Sequence, residues 1–354
     1  MPTDKQVPPG SRVAVIGAGV AGIMAASTLK QAGVEVDLYE KEERAGGHLN
    51  RWHHLFPGRE EASLVREGYL QQLREHSLSL MLSAEVKAIV REPEGPAGGR
   101  FRVTTAAGDS RDYGAVLLAT GFRLFDAALK EEYGYGIYPR VLTSPELEQR
   151  LSPGGAGLDT ETGPPKRVAF VHCVGSRDAK VGNRYCSRVC CITGVKQAMA
   201  VRERYPGCEV INFYMDLRMF GSGYEELYQE AQEVHGVNFI RGRVSEAAKT
   251  LGGAIQVKAE DTLLGRPLKV TVDWLVLLVG MEPSLSAELL ASLALESDQA
   301  GFVASRDKFL QPGQSSADGV FLAGACGGPA SLPESVNQAR AAALSVITYL
   351  NRKG

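Results

Sequence analysis

Apolar and polar positions near the start of the chain follow the pattern of a nucleotide-binding unit. Residues 12–16 and 35–39 are short, mostly apolar stretches, and residues 22–31 between them repeat apolar side chains at helical spacing. This succession predicts a strand, a helix and a second, parallel strand. We therefore expect the chain to open with a complete βαβ unit.

The same pattern recurs in the second half of the chain. Residues 168–171, 193–204 and 209–214 read as strand, helix and strand, and each βαβ unit is followed by alternating segments typical of an antiparallel meander. The remaining predicted elements are helices at 62–77, 224–234 and 334–351, strands at 115–119, 237–240, 275–279 and 319–323, and meanders through 84–90 and 101–105, with a turn at 93–99, and through 255–259 and 268–272.

This repeat predicts an α/β fold with two similar domains, the second Rossmann-like domain being inserted into the first. Residues 152–166 are rich in Gly, Pro and Thr and are typical of a linker. We place residues 1–150 and 285–354 in the first domain and residues 166–284 in the inserted domain.

Composition and charge narrow the class of protein. The 354 residues carry a formal net charge of −2, so no basic excess indicates a nucleic-acid partner. The longest apolar runs are far shorter than a membrane span, and the polar N-terminus lacks the apolar core of a signal peptide. We expect a cytoplasmic protein without a membrane span.

A glycine-rich loop, residues 17–22 (GAGVAG), connects the first predicted strand to its helix. In this context the glycines allow a tight turn and a close approach of backbone to a pyrophosphate, and the helix N-terminus attracts the phosphates. Glu40, at the end of the next strand, would accept hydrogen bonds from the ribose. The alternatives at this loop are NAD(H), or a glycine turn with no ligand.

Two further motifs favour FAD at the first site. Gly46-Gly47 after Glu40, and residues 119–121 (ATG), resemble the FAD fingerprint of glutathione-reductase-like flavoproteins. Residues 319–325 resemble the last FAD motif of those proteins, with Ala325 where an Asp would bind the ribityl chain. The helix beginning near residues 333–335 would direct its positive N-terminus toward the flavin.

The predicted FAD contacts form one set drawn from these motifs. They are Gly17, Gly19, Val20, Ala21, Gly22, Glu40, Lys41, Gly46, Gly47, His48, Val86, Ala119, Thr120, Gly121, Gly324, Ala325, Ser335 and Val336.

Four of the six cysteines, Cys173, Cys186, Cys190 and Cys191, are close together in the sequence. Without a signal peptide, such a group indicates metal or redox chemistry rather than a disulfide framework. Zinc sites usually pair their ligands in two short C-x2-4-C motifs, which this spacing does not provide. Adjacent cysteines more easily bind different irons of a cube. We therefore predict a [4Fe–4S] cluster, with zinc, or unligated or disulfide-bonded thiols, as alternatives.

The position of Cys173 is also informative. It follows the strand at 168–171, where the second domain of a pyridine-nucleotide reductase would carry the first glycine of its phosphate loop. Only Gly175 remains of that loop. The sequence thus predicts that a cluster site has replaced the usual NAD(P)H site.

Several segments resemble the A-type subunit of heterodisulfide reductase and its relatives. They are residues 170–178 (FVHCVGSRD), 185–191 (YCSRVCC), 224–228 (YEELY), 323–329 (AGACGGP) and 333–336 (PESV). The resemblance covers most of residues 12–350. The chain is similar to the short form of this subunit found in heterodisulfide-reductase-like systems of sulfur-oxidising bacteria. The nearest alternative is the flavin subunit of quinone-interacting complexes in sulfate reducers.

This resemblance implies an electron-transfer subunit that uses FAD and a [4Fe–4S] cluster, together with partner subunits, in cytoplasmic sulfur or disulfide oxidation. It also implies a catalytic role for Lys196, which matches a family lysine near flavin N5; the alternative is an exposed helix lysine. Flavoproteins of this architecture are often dimers, so we expect a homodimer.

Two other functions remain as alternatives. A free-standing NAD(P)H-dependent disulfide reductase would need a redox-active cysteine pair after the first Gly-Gly, which the sequence lacks. A structural zinc-and-flavin assembly subunit without turnover is the other.

Overall fold

The computed structural model describes residues 12–92 and 101–352. These divide into two compact units. The first contains residues 12–50, 63–92, 101–123 and 282–352, and the second contains residues 51–62 and 124–281. Because the first unit draws on chain segments both before and after the second, the predicted insertion of one domain into the other agrees with this division.

The described helices are α1 Val20–Gln31, α2 Ala62–Glu75, α3 Ser144–Leu151, α4 Cys190–Arg204, α5 Tyr224–Glu233, α6 Ala287–Ser292 and α7 Leu332–Asn351. The described strands are β1 Arg12–Ile16, β2 Glu35–Tyr39, β3 Ser79–Met81, β4 Val86–Arg91, β5 Phe101–Thr105, β6 Ser110–Tyr113, β7 Ala115–Leu118, β8 Phe122–Leu124, β9 Val141–Thr143, β10 Arg167–Val174, β11 Glu209–Tyr214, β12 Asn238–Arg241, β13 Val244–Lys249, β14 Ile255–Asp261, β15 Arg266–Val272, β16 Trp274–Val279, β17 Met281–Pro283, β18 Ser305–Asp307, β19 Gln311–Ser315 and β20 Val320–Leu322.

The first unit is built on a seven-stranded sheet in the order β18-β19-β20-β7-β1-β2-β3. β1 lies parallel to both β2 and β7, and β20 returns from the end of the chain to pair in parallel with β7. The inner strands are apolar along their length because both faces of the sheet are covered, one by α1 and α7 and the other by the antiparallel strands β4, β5 and β6. α1 and α7 pack on it through small and branched residues such as Ala26, Leu29 and Ala343.

The second unit repeats this architecture with a five-stranded sheet in the order β12-β11-β10-β16-β9. All of its pairings are parallel. α4 packs against it through Val195, Ala198 and Met199, which are fully buried. Each unit also has a three-stranded antiparallel sheet, β4-β5-β6 in the first and β13-β14-β15 in the second, as the two predicted meanders require.

The domain boundary at residue 150 is corrected by the structure. Residues 124–150 lie in the second unit, because β9 pairs with β16 in the register Val141↔Leu275 and α3 follows directly. The predicted linker at 152–166 also lies within this unit. There Leu158 is buried, and its carbonyl accepts a hydrogen bond of 2.7 Å from Trp274 Nε1.

Some predicted element ends also move. α1 begins at Val20 rather than 22, and α4 begins at Cys190 rather than 193, so that two cysteines fall within the helix. The predicted turn at 93–99 lies outside the described residues.

Candidate functional site

The glycine loop between β1 and α1 is held by close backbone packing. Gly17 has a φ of +105°, and a Cβ there would lie 2.5 Å from the carbonyl oxygen of Ala119. A Cβ on Gly22 would overlap the carbonyl oxygen of Gly17. The absence of side chains at these positions therefore lets the loop, the helix start and the end of β7 approach one another.

The N-terminus of α1 is open to an anion. Gly19 is its N-cap and provides no side-chain hydrogen bond, and the first turn contains no acidic residue. The amides of that turn therefore have no partner within the helix, and the helix dipole favours negative charge there. Val20 and Ala21 contribute two of these amides.

The Gly46-Gly47 turn lies against the same loop. The Gly46 amide donates to the Ala18 carbonyl over 2.8 Å. Gly47 has a φ of +54°, and a Cβ there would lie 3.0 Å from Gly19 Cα. The two glycine segments thus form a backbone cradle that added side chains would fill, and this cradle fits the pyrophosphate of a dinucleotide.

Glu40 holds the backbone of the cradle in place through hydrogen bonds. Its side chain is buried, Oε2 accepts a hydrogen bond from the Ala18 amide over 2.8 Å, and Oε1 accepts one from the Glu42 amide over 3.0 Å. Each carboxylate oxygen keeps a further lone pair, so the predicted bond to a ribose hydroxyl is compatible with both contacts. Lys41 beside it is exposed.

His48 lies at the end of the Gly-Gly turn. Its ring stacks on Phe122 with 3.9 Å between centroids and an interplanar angle of 4°, and its Nε2 lies 2.9 Å from the Phe122 carbonyl oxygen. Thr120 and Gly121, just before Phe122, accept hydrogen bonds of 2.9 Å at their carbonyl oxygens from the Ser284 hydroxyl.

Of the other predicted flavin contacts, Gly324 lies against the start of α1 and against Ser335, since a Cβ there would lie 2.8 Å from Ala21 Cβ and 3.6 Å from Ser335 Cβ. Gly324 and Ala325 open a short 3-10 turn after β20, and Ala325 is buried. Ser335 and Val336 are the fourth and fifth residues of α7, which begins with a capping box formed by Ser331 and Glu334. Val86 is the buried first residue of β4.

Three of the four clustered cysteines meet at the end of the central strand of the second unit. Cys173 lies near the end of β10, with a φ of +59°, while Cys190 and Cys191 form the start of α4. All three are buried, and the Cys190 thiol lies within hydrogen-bonding reach of both other sulfurs. Cys186 is half-buried, and its sulfur accepts a hydrogen bond of 3.3 Å from the Arg188 amide.

These contacts separate the pKa values of the three thiols. The hydrogen bond from Cys190 lowers the pKa of Cys173 to about 7. The same donor lowers the pKa of Cys191 to about 4, with a further contribution from His172. Contact with both of these sulfurs, together with burial, raises the pKa of Cys190 well above its ordinary value. The pocket therefore favours the thiolate form, in which cysteine binds metals, at Cys173 and Cys191.

Residues adjoining these cysteines carry buried polar atoms without a hydrogen-bond partner. They include Arg177 Nη1 and Ser176 Oγ in the loop after Cys173, and Asn212 Nδ2 on the residue whose Oδ1 lies 2.8 Å from His172 Nε2. Unpaired buried groups are rare, and each calls for an explanation such as a bound ion or cofactor. Backbone amides also approach the sulfurs, for example that of Arg218, 3.5 Å from Cys191 Sγ.

The cysteine side chains provide the kind of donor set that a sulfur-ligated cluster would need. In residues 12–92 and 101–352, no group of three or more His, Cys, Asp or Glu side chains is arranged to hold one metal ion. The four cysteines supply only sulfur ligands, and polar hydrogens of the kind that stabilise cluster sulfur surround three of them.

The other two cysteines lie outside this pocket. Cys326 is buried, donates from Sγ to the Leu118 carbonyl over 3.2 Å, and has its pKa raised to about 11 by burial. Burial likewise raises the pKa of Cys208 to about 11. The raised pKa keeps both thiols protonated at neutral pH.

Lys196 is buried in an ion pair, so the alternative of an exposed helix lysine is wrong. Its Nζ pairs with Glu148, donates to the His54 carbonyl over 2.6 Å and lies 5.3 Å from the Trp52 ring centroid. Burial lowers the pKa of Lys196 despite the carboxylate beside it. Its proximity to a flavin stays a prediction.

Sequence reasoning missed the partner of this lysine. Glu148 lies in α3, and no helix was predicted there. The signal was present, because Thr143 and Glu146 form a capping box with proline in the first turn. Arg177 was missed as well, since nothing in its sequence context shows that one guanidinium nitrogen would be buried beside the cysteines.

The fold and the cradle together define a dinucleotide-binding oxidoreductase. The sequence profile of the pyridine nucleotide-disulphide oxidoreductase family matches residues 11–171 and 190–343. The chain belongs to this family, which supports a flavoprotein with FAD as its cofactor.

Curated relatives are named as components of one enzyme. The chain is 44% identical, over 66% of its length, to the A-type iron-sulfur subunit of the CoB–CoM heterodisulfide reductase of Methanocaldococcus jannaschii, and the match covers 36% of that protein. It is 32% identical, over 96% of its length, to the A-type subunit of the ferredoxin/F420H2-dependent CoB–CoM heterodisulfide reductase of Methanosarcina acetivorans, covering 53% of it. The chain thus spans about a third to a half of these relatives.

Solved structures share the fold at low identity. The thioredoxin reductase of T. acidophilum superposes with a TM-score of 0.68 at 18% identity, covering 95% of this chain and 97% of that one. The thioredoxin reductase of Lactococcus lactis gives a TM-score of 0.67, also at 18% identity, covering 96% and 99%. Within the described part of the chain, no helix has the length and apolar character needed to cross a bilayer.

Proposed function

We propose that this chain is an electron-transfer flavoprotein subunit of a heterodisulfide reductase-like complex. It holds FAD in the first unit and a [4Fe–4S] cluster at Cys173, Cys186, Cys190 and Cys191 in the second. The names of its relatives, which include the words iron-sulfur subunit, support this assignment. The observation that carries it is the meeting of three buried cysteines, Cys173 near the end of β10 and Cys190 and Cys191 at the start of α4, with Cys190 within reach of both other sulfurs.

Residues of the first unit bind FAD, and residues of the second unit bind the cluster. When bound, FAD supplies two-electron chemistry and the cluster supplies one-electron transfer. The open amides of α1 hold the pyrophosphate, and Glu40 holds the ribose. In the second unit, the N-terminus of α4 stabilises thiolate charge on Cys191, because the helix dipole is positive there.

The wider context follows from the relatives and from the sequence resemblance. Partner subunits supply the further electron carriers and the substrate site of the complex. Its chemistry is the oxidation of sulfur compounds or disulfides in the cytoplasm, and the chain forms a homodimer within it.

A free-standing NAD(P)H-dependent disulfide reductase is the main competing function, and the geometry of the second unit disfavours it. In the first unit only residues 17–19 separate β1 from α1, which is the tight connection that a pyrophosphate needs. In the second unit residues 175–189 separate β10 from α4, and two buried cysteines occupy the helix start. We expect NAD(P)H added anaerobically to leave the flavin absorbance of the isolated protein unchanged.

The ligand assignment is tested by two cysteine variants. Cys190→Ser removes the sulfur that contacts both others, whereas Cys208→Ser removes a buried thiol outside the pocket and is the matched control. Both proteins are purified anaerobically and assayed for iron, acid-labile sulfide and FAD. We expect Cys190→Ser to lose most of its iron and keep FAD, and Cys208→Ser to keep both. Full iron in Cys190→Ser would overturn the assignment.

A further inference from the structure

Arg177 occupies a strained and fixed position four residues after Cys173. Its φ is +53°, which is uncommon for a residue with a side chain, and its amide donates to the Tyr185 carbonyl over 2.8 Å. Strain of this kind persists only where the surroundings hold it, and it is concentrated at functional sites. The loop after β10 therefore holds the Arg177 side chain in one place.

The protein provides a hydrogen-bond acceptor for only one of the two terminal nitrogens of the guanidinium group. Nη2 donates to Asp216 Oδ2 over 2.7 Å, while Nη1 is buried with no acceptor. Leaving a buried charged donor unpaired is more destabilising than leaving a neutral donor unpaired. A ligand that supplies an acceptor at Nη1 would remove this penalty.

The sulfur of Cys173 lies within hydrogen-bonding reach of the Arg177 guanidinium group. Burial opposes the charge of Arg177, but the Asp216 carboxylate and the Cys173 sulfur together hold the pKa of the guanidinium above its ordinary value. Asp216 also links the arginine to a second sulfur, because its carbonyl oxygen lies 3.7 Å from Cys191 Sγ. Asp216 therefore connects the arginine to the wall of the cysteine pocket.

We propose that Arg177 is a positioning residue that donates a hydrogen bond from Nη1 to cluster sulfur at Cys173 and so raises the reduction potential of the cluster. This rests on the proposed function, because it requires a cluster at the four cysteines. One-electron reduction adds negative charge to the cluster, and a fixed positive charge with a hydrogen bond to sulfur stabilises the reduced form. Asp216 holds the arginine in place.

Arg241 provides a matched control. Its Nη2 lies 3.5 Å from the same Asp216 carboxylate, and its side chain is 49% exposed. Arg241→Gln therefore removes the same charge from the same partner at a more hydrated position, where its effect is screened by water. Arg177→Lys keeps the charge at the buried position but replaces the planar fork with a single ammonium.

The experiment is a redox titration of the cluster in the full chain, followed by electron paramagnetic resonance, with iron, sulfide and FAD measured for each variant. We expect Arg177→Gln to keep FAD and to lower the ratio of reduced to oxidised cluster at a fixed potential about tenfold, or about 59 mV for a one-electron couple. We expect a smaller decrease for Arg177→Lys and almost none for Arg241→Gln.

The outcomes separate this inference from the proposed function. A wild-type protein with FAD and no iron would overturn the proposed function, and this inference with it. Wild-type iron content with equal potentials in Arg177→Gln and Arg241→Gln would overturn the inference alone. If Arg177→Gln loses its iron, the cluster potential of Arg177→Lys is compared with that of Arg241→Gln instead. A lower potential in Arg177→Lys supports the inference, and a wild-type potential in Arg177→Lys overturns it.

Discussion

The buried ion pair between Lys196 and Glu148 allows a quantitative test of the second unit. The two side chains are only 3% and 6% exposed. Glu148 also accepts hydrogen bonds from the Gln197 side chain over 2.9 Å and from the His53 amide over 2.9 Å. Replacing Lys196 by Met fills a similar volume but leaves the carboxylate buried with amide donors alone.

The expected cost follows from the desolvation of that carboxylate. Breaking a buried pair by removing one partner destabilises a protein by about 3–5 kcal/mol. Because the remaining amides keep part of the stabilisation of Glu148, we expect Lys196→Met to cost about 3 kcal/mol, at the lower end of that range. Adding Glu148→Gln removes the uncompensated charge, so the double variant should recover about 1–3 kcal/mol as a coupling energy.

Urea unfolding at neutral pH provides the assay. The two tryptophans of the chain, Trp52 and Trp274, both lie in the second unit, so their fluorescence reports on this unit. Wild type, both single variants and the double variant are compared by midpoint and slope, and a constant slope shows that the change lies in stability.

Two results would refute this reasoning. The first is a decrease in the free energy of unfolding of less than about 1 kcal/mol in Lys196→Met, which is what removing a solvent-exposed ion pair would cost. The second is a double variant no more stable than Lys196→Met. Unchanged stability with an altered flavin semiquinone would instead favour the role beside flavin N5 that the family resemblance implies.

Two further predictions concern the cradle and the acid limit of stability. Gly47→Ala places a Cβ about 3.0 Å from Gly19 Cα, and we expect severalfold less bound FAD by absorbance, whereas Gly33→Ala, also at positive φ but with nothing within 4 Å, should keep its flavin. Equal FAD in both would contradict the cradle. Despite burial, Lys130 lowers the pKa of Asp178 below its ordinary 3.8, so the pair stabilises the fold above about pH 4 and this contribution is lost as pH falls through the folded-state value. Asp178→Asn should therefore be less stable at pH 7 and lose less on acidification, and a parallel acid-unfolding curve would argue against this.

Much of the fold could be predicted because its signals are local. The inner strands of both sheets are continuous apolar runs, and β1, β2, β5 and β11 begin and end where the sequence predicted. Glycines at positive φ mark the cradle, since Gly17 and Gly47 adopt backbone conformations that other residues rarely reach. Periodicity and backbone sterics are sufficient for both inferences.

The boundary between the units could not be predicted in this way. β9 has only three residues, and its partner β16 lies more than a hundred residues later in the sequence. No local sequence pattern predicts which sheet such a short strand joins. The environment of Lys196 was equally hidden, because Glu148 approaches it only through tertiary packing. The unpaired nitrogen of Arg177 is likewise a property of the folded loop.

The central claim is that one chain carries both FAD and a [4Fe–4S] cluster. It is tested most directly by iron, acid-labile sulfide and flavin analysis of the anaerobically purified full chain, with visible spectra before and after dithionite. The account predicts about four irons and four sulfides per FAD, with broad charge-transfer absorption that dithionite bleaches. Zinc, or no metal, beside a full complement of FAD would contradict it.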